Sequence, residues 1–140
     1  MPQAEVDWLI HPLYMPVIQG HDALHEAIAF DRRNLAAWWY KPSSTKRFTS
    51  LLKTLREKQY DIVIDAQGLF RSGFLTHITG AKIRVGFAHA REGARLGYTH
   101  KIALPEKGRH MLAVDRMRAL RKVGVPYTDQ EISKAAARTP

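Results

Sequence analysis

Asp65, Gln67 and Gly68 sit in a tight polar turn, Asp-Ala-Gln-Gly, which closes the apolar run of Tyr60, Ile62, Val63 and Ile64 and leads into a second periodic apolar stretch. A carboxylate, a carboxamide and a glycine between a buried strand and a helix are what open α/β sheets use to hold ligands. Such ligands lie outside the carboxyl ends of the strands and face helix N-termini. The same residues also admit an architectural reading, with Asp65 capping the helix and Gly68 making the turn. A second phrase repeats the pattern: Ile83 to Phe87 is apolar, and His89-Ala90-Arg91-Glu92-Gly93 follows at once. With both turns on one sheet edge, Asp65 and Arg91 would meet there. The planar fork of Arg91 suits a phosphate or carboxylate. The alternative is a structural ion pair of Arg91 with Glu92 or Asp65.

A third candidate region is basic and aromatic. Arg32, Arg33, Lys41, Lys46 and Arg47 are interleaved with Trp38, Trp39 and Tyr40. Cations among aromatics suit phosphates or stacked bases; the other reading is a solvated loop whose tryptophans cover the core. Other chemistries find no pattern. The seven histidines lack metal-ligand spacing such as His-Glu-x-x-His, and there is no phosphate-binding glycine loop and no Ser-His-Asp spacing. No catalytic residue, metal ligand or cofactor is therefore assigned.

The elements that would position these residues follow from periodicity. Val6, Trp8 and Ile10 alternate in a strand over 5–10, ended by His11 and Pro12; a short helix or turn covers 13–18, and a second strand covers 25–30. Pro42-Ser43-Ser44 breaks the irregular segment 31–47 and supplies caps for a helix over 48–58. There Phe48, Leu51, Leu52 and Leu55 form one apolar stripe. The run at Tyr60 reads as a strand covered on both faces. A helix over 69–78 buries Leu69, Phe70, Phe74, Leu75 and Ile78 and ends at Gly80. Strands over 83–87 and 98–104 and a helix over 109–123, stopped by Gly124 and Pro126, complete the pattern. Residues 1–127 thus read as one α/β domain with an open, mostly parallel sheet and flanking helices. Residues 128–140 read as a linker or frayed tail.

Bulk composition narrows the partners. At 140 residues with 45% hydrophobic content the chain has enough material for one core. Lys and Arg number 22 against 13 Asp and Glu, a net charge of +9, which favours an anionic partner: a phosphorylated sugar, an acidic membrane face or nucleic acid. No apolar run approaches the roughly 18 to 20 residues of a membrane span. The acidic start MPQAEVDWLI is unlike a signal peptide, and cysteine is lacking, so a cytoplasmic location is expected.

Three stretches carry a family resemblance: YDIVIDAQGLFRS at 60–72, GFAHAREGA at 86–94 and AVDRMRAL at 113–120. Together, in this order and spacing, they resemble the N-terminal half of bacterial lipopolysaccharide heptosyltransferases of glycosyltransferase family 9, closest to the heptosyltransferase I type. The resemblance covers Glu5 to about Tyr127. It implies a Rossmann-like half of a GT-B glycosyltransferase, an enzyme that moves heptose from ADP-heptose to phosphorylated Kdo-lipid A with inversion and without a metal. The N-terminal half would hold the acceptor, and a C-terminal domain the nucleotide sugar. Matched residue by residue, Asp65, Gln67 and Gly68 fall on the cleft turn, Arg71 on the basic position after it, and Arg91 with Glu92 on the second turn, Arg91 as a phosphate ligand. Arg32, Arg33, Lys41, Lys46 and Arg47 match the family's basic stretch loosely. Where the family has a first strand and a Gly-Asp turn with the proposed catalytic base, this sequence has no counterpart, and Leu112 stands where many relatives have His. The expectation is an acceptor-binding part, inactive alone and in peripheral contact with the cytoplasmic face of the inner membrane. The alternative is a basic α/β nucleic-acid- or anion-binding module without catalysis, although no recognised nucleic-acid motif is present.

Overall fold

A computed structural model describes residues 4–31, 33, 37 and 39–103. Arg32, Trp38, the helix expected over 109–123, the third family stretch and the tail lie outside the described residues. The described chain forms two units, 1–53 and 54–140, the division falling within one helix.

In the first unit β1 (Asp7–Ile10) pairs in parallel with β2 (Glu26–Ala29), in the register Asp7 to Glu26 and Ile10 to Ala29. A 3₁₀ turn at Pro12–Tyr14 and the single helical turn α1 (Met15–Ile18) connect them. Trp8 is 53% exposed, so the alternation along β1 does not bury its largest side chain. The helix α2 spans Pro42–Glu57, six residues longer at its start than the apolar stripe alone suggests. Pro42 opens this helix instead of breaking the chain before it, because a missing N–H is harmless in the first turn and the fixed φ is already helical. Thr45 and Thr49 donate their hydroxyls to the carbonyls of Lys41 and Thr45. At the other end Gln59 takes φ +49°, the left-handed conformation that stops a helix.

The second unit is built on a three-stranded parallel sheet in the order β3 (Ile62–Ile64), β4 (Ile83–Phe87), β5 (His100–Ile102). The central strand β4 carries the two most deeply buried large side chains, Val85 and Phe87. Each such burial stabilises by about 2 kcal/mol. As the edge strand of this sheet, β3 is not covered on both faces as expected: Ile62 and Ile64 stay 43% and 38% exposed.

The helix α3 (Phe70–Ile78) connects β3 to β4 and packs on a 3₁₀ turn at Ala94–Gly97. Its buried residues are Gly73, Leu75 and Thr76. Phe70 and Phe74, expected inside, stack on each other with centroids 6.5 Å apart and stay 54% and 38% exposed. The close approach of the two elements is the reason. A Cβ on Gly73 would lie 2.6 Å from the Ala94 backbone, and one on Gly97 would overlap the Gly73 carbonyl, so the contact is made by small residues. Thr79 ends the helix, and Gly80 follows at φ +70°.

Candidate functional site

The two polar turns meet. Asp65, just past the carboxyl end of β3, donates its N–H to the Val85 carbonyl at 2.8 Å, which continues the strand pairing by one residue. Its carboxylate is 5% exposed at residue level and fully engaged. Oδ1 accepts from the N–H groups of Gln67 (2.8 Å) and Gly68 (3.0 Å), folding the turn on itself. Oδ2 accepts from the Tyr98 hydroxyl at 2.5 Å. Asp65 therefore locks the turn that precedes α3 and does not cap the helix itself. Gly68 takes φ +73°, which a side chain would strain. The Gly68 carbonyl accepts the Arg91 N–H at 2.9 Å, and this bond ties the turn after β3 to the turn after β4.

Tyr98 is the member of the site that sequence reasoning missed. It was expected only as the start of a strand, yet its ring reaches past β4 to Asp65 because Gly86 leaves room. A Cβ on Gly86 would overlap the Tyr98 ring. The one signal available in the sequence was a glycine in the middle of an otherwise apolar strand, which marks a close approach. Desolvation by burial first, then the hydrogen bond to Asp65 and its negative charge, raises the Tyr98 phenol well above its ordinary value. It stays protonated and donates.

Around this buried frame Gln67, Arg71, Arg91 and Glu92 are exposed. Arg91 is exposed and its guanidinium has no partner among the described residues; the alternative of an ion pair with Glu92 or Asp65 is not formed. Glu92 instead turns its carboxylate to the start of α3, where Oε2 accepts from the Phe70 N–H at 3.4 Å. A carboxylate there is favoured by the positive end of the helix dipole. Glu92 adopts φ +56°, uncommon for a residue with a side chain. Ser72 completes the cap, its Oγ accepting from the Leu69 N–H at 3.1 Å. Arg71 lies in the first turn of α3 and is exposed, as is Gln67.

The structure thus brings Asp65, Gln67, Gly68, Arg91 and Glu92 onto the two linked turns, with Arg71 in the first turn of the helix that follows. Arg33, Lys46 and Arg47 belong to the other unit, and Arg32 lies outside the described residues. Arg33 is exposed, with its N–H on Asp31 Oδ1. Lys46 and Arg47 are exposed on the first turns of α2. Chemically, the linked turns offer the Arg91 guanidinium and the Gln67 carboxamide on a hydrogen-bonded backbone, with Arg71 exposed on the adjoining helix, and guanidinium groups suit a phosphate or carboxylate. Asp65 is committed to three donors and holds the frame.

Residues 48–139 match the sequence profile of glycosyltransferase family 9 (heptosyltransferase). The chain belongs to this family. Among relatives, the lipopolysaccharide heptosyltransferase 1 of Salmonella typhimurium is 34% identical over 124 residues, covering 86% of this chain and 38% of the relative. Its counterpart in Escherichia coli K12 is 32% identical over 132 residues, covering 91% and 40%. Among solved structures, the E. coli heptosyltransferase WaaC with ADP-2-deoxy-2-fluoro heptose superposes with a TM-score of 0.75 at 25% identity, over 100% of this chain and 47% of that one. WaaC with ADP gives 0.76 at 26%. The chain spans less than half the length of these family members. The family fold agrees with the open, parallel sheets and flanking helices found here: this is the Rossmann-like architecture of a GT-B half.

Proposed function

We infer that this chain is the acceptor-binding part of a heptosyltransferase of the lipopolysaccharide inner core. The complete enzyme transfers heptose from ADP-heptose to phosphorylated Kdo-lipid A. The observation that carries the reading is Arg91: its backbone is fixed to Gly68 while its guanidinium is exposed and free among the described residues. A fixed backbone reduces the freedom lost when an anion binds. Arg91 and Arg71 take the acceptor phosphate, and Gln67 offers a donor and an acceptor to the sugar. Asp65 and Gly68 hold the turn, and Glu92 meets the start of α3.

In this reading residues 1–127 form the acceptor-binding half and 128–140 a linker. ADP-heptose is held by a C-terminal domain, and the isolated chain is inactive because base, acceptor and donor must share one cleft. The protein works in the cytoplasm, at the inner face of the inner membrane.

Titrating the purified chain separately with phosphorylated Kdo-lipid A and with ADP-heptose, at two salt concentrations, tests this. Acceptor binding that Arg91→Ala strongly weakens, without ADP-heptose binding or release of ADP, is expected. Turnover by the chain overturns the inactive part of the reading, and absence of acceptor binding overturns the assignment of the site.

A further inference from the structure

The basic and aromatic stretch of the first unit is not accounted for by the linked turns. From Arg32 to Lys53 the sequence holds six cations and no carboxylate. Within it, Trp39 and Tyr40 are 74% and 58% exposed, although aromatic side chains of this size usually find cover. Their rings pack edge to face, with centroids 4.8 Å apart and planes at 75°. They line an open groove of about 550 Å³ together with Pro42, Thr45, Lys46 and Thr49. Lys41 and Lys46 are exposed here, and the first turn of α2 has no acidic residue.

From these features we propose that Trp39, Tyr40 and Pro42, flanked by Lys41 and Lys46, form a docking patch for an anionic bilayer surface. The two aromatic side chains enter the headgroup layer, and the cations meet lipid phosphates. Indole and phenol are apolar bodies with one polar tip, the residue types that settle at membrane interfaces. A polybasic patch alone attracts any anionic surface, whereas exposed aromatics beside it select one that also has an apolar layer to enter. Nucleic acid is the less favoured occupant. The sequence carries no recognised nucleic-acid motif. The groove is open and lined by one lysine, which also suits a surface better than an enclosed small ligand.

This patch is independent of the acceptor reading, because the test uses vesicles without any Kdo-lipid A. The chain is mixed with vesicles of phosphatidylcholine alone and of an equimolar mixture with phosphatidylglycerol, and binding is read by co-sedimentation. Binding to the anionic vesicles only is expected. The paired variant Trp39→Ala/Tyr40→Ala weakens it at least about tenfold. Lys41→Gln/Lys46→Gln weakens it about thirtyfold. The control Lys82→Gln/Lys101→Gln removes the same charge from exposed positions of the second unit and changes binding by less than about threefold. Brominated lipid quenches the tryptophan fluorescence of the parent chain, and Trp39→Ala loses most of that quenching. Circular dichroism verifies that each variant is folded, which the exposure of every substituted side chain favours. Equal weakening by the control pair, or quenching that survives Trp39→Ala, overturns the patch in favour of diffuse charge. Displacement of the vesicles by a single-stranded oligonucleotide whose own binding requires Trp39 overturns it in favour of nucleic acid.

Discussion

The turns after β3 and β4 use their charged residues in opposite ways. Asp65 turns inward, gives both carboxylate oxygens to Gln67, Gly68 and Tyr98, and becomes part of the frame. Arg91 contributes only its backbone to the frame and leaves its guanidinium in solvent. Buried charge is tolerated where every lone pair has a donor, and an exposed charge costs little to keep free. A binding turn needs both kinds of residue: one that fixes the backbone and one that the fixed backbone presents. Substitutions should therefore separate stability from ligand binding at these two positions.

Asp65→Ala has the largest expected effect. It strips three donors of their acceptor, one of them the buried Tyr98 hydroxyl, and should lower unfolding free energy by roughly 3 kcal/mol. Urea melts of the parent and variant measure it. A variant as stable as the parent would mean that Asp65 is not the frame residue its contacts make it.

Arg91→Ala should do the reverse. Affinity for phosphorylated Kdo-lipid A falls about a hundredfold, equivalent to about 2.7 kcal/mol, while the melting transition stays within a degree or so, as suits an exposed side chain. Calorimetric titration and a thermal melt on the same sample check both halves. A destabilised variant with unchanged affinity would erase the contrast between the turns.

Gly73→Ala tests the contact that lets α3 sit where its first turn meets Glu92. Alanine gains about 1 kcal/mol in helix propensity, but its Cβ would lie 2.6 Å from the Ala94 backbone, and overpacking of this kind costs about 2 to 3 kcal/mol. A net loss of about 1 to 2 kcal/mol is expected in urea melts. Net stabilisation would show that α3 and the 3₁₀ turn are free to move apart.

The same contact marks the limit of what could be read before the structure. The strand over 83–87 was legible because a short apolar, β-branched run lies between Gly80 and a polar turn, and α3 was legible to within a residue of each end. Its buried face was not. Hydrophobic periodicity selects Phe70 and Phe74, whereas the packed face is set by Gly73 and Thr76, whose small size permits close approach and leaves no apolar signal. Pro42 misled for a related reason, since one residue type breaks a helix from inside and begins one at its first position. The polar turns were visible as residue types. Their link through Gly68 and Arg91, and the reach of Tyr98 to Asp65 across 33 positions, depend on strand order, which single-sequence patterns do not contain.

Tyr98→Phe gives the smallest effect at neutral pH and the most diagnostic one in alkali. Phenylalanine keeps the ring over Gly86 and removes one hydrogen bond to Asp65, so the loss near neutrality should be about 1 kcal/mol. Burial and Asp65 raise the phenol above its ordinary value, so the folded state holds this proton more tightly than the unfolded state. That contribution is fully present below the unfolded value of about pH 10 and is lost as the pH rises beyond it. The parent should therefore lose stability above about pH 10 faster than Tyr98→Phe, and the gap between their urea midpoints should close. Phenolate absorbance provides the second reading: one of the five tyrosines should ionise only as the parent unfolds, and that late step should be missing in the variant. Parallel stability curves through the alkaline range would mean that the Tyr98 proton is not held by Asp65, and the inward-facing half of the contrast between the turns would rest on the backbone bonds of Gln67 and Gly68 alone.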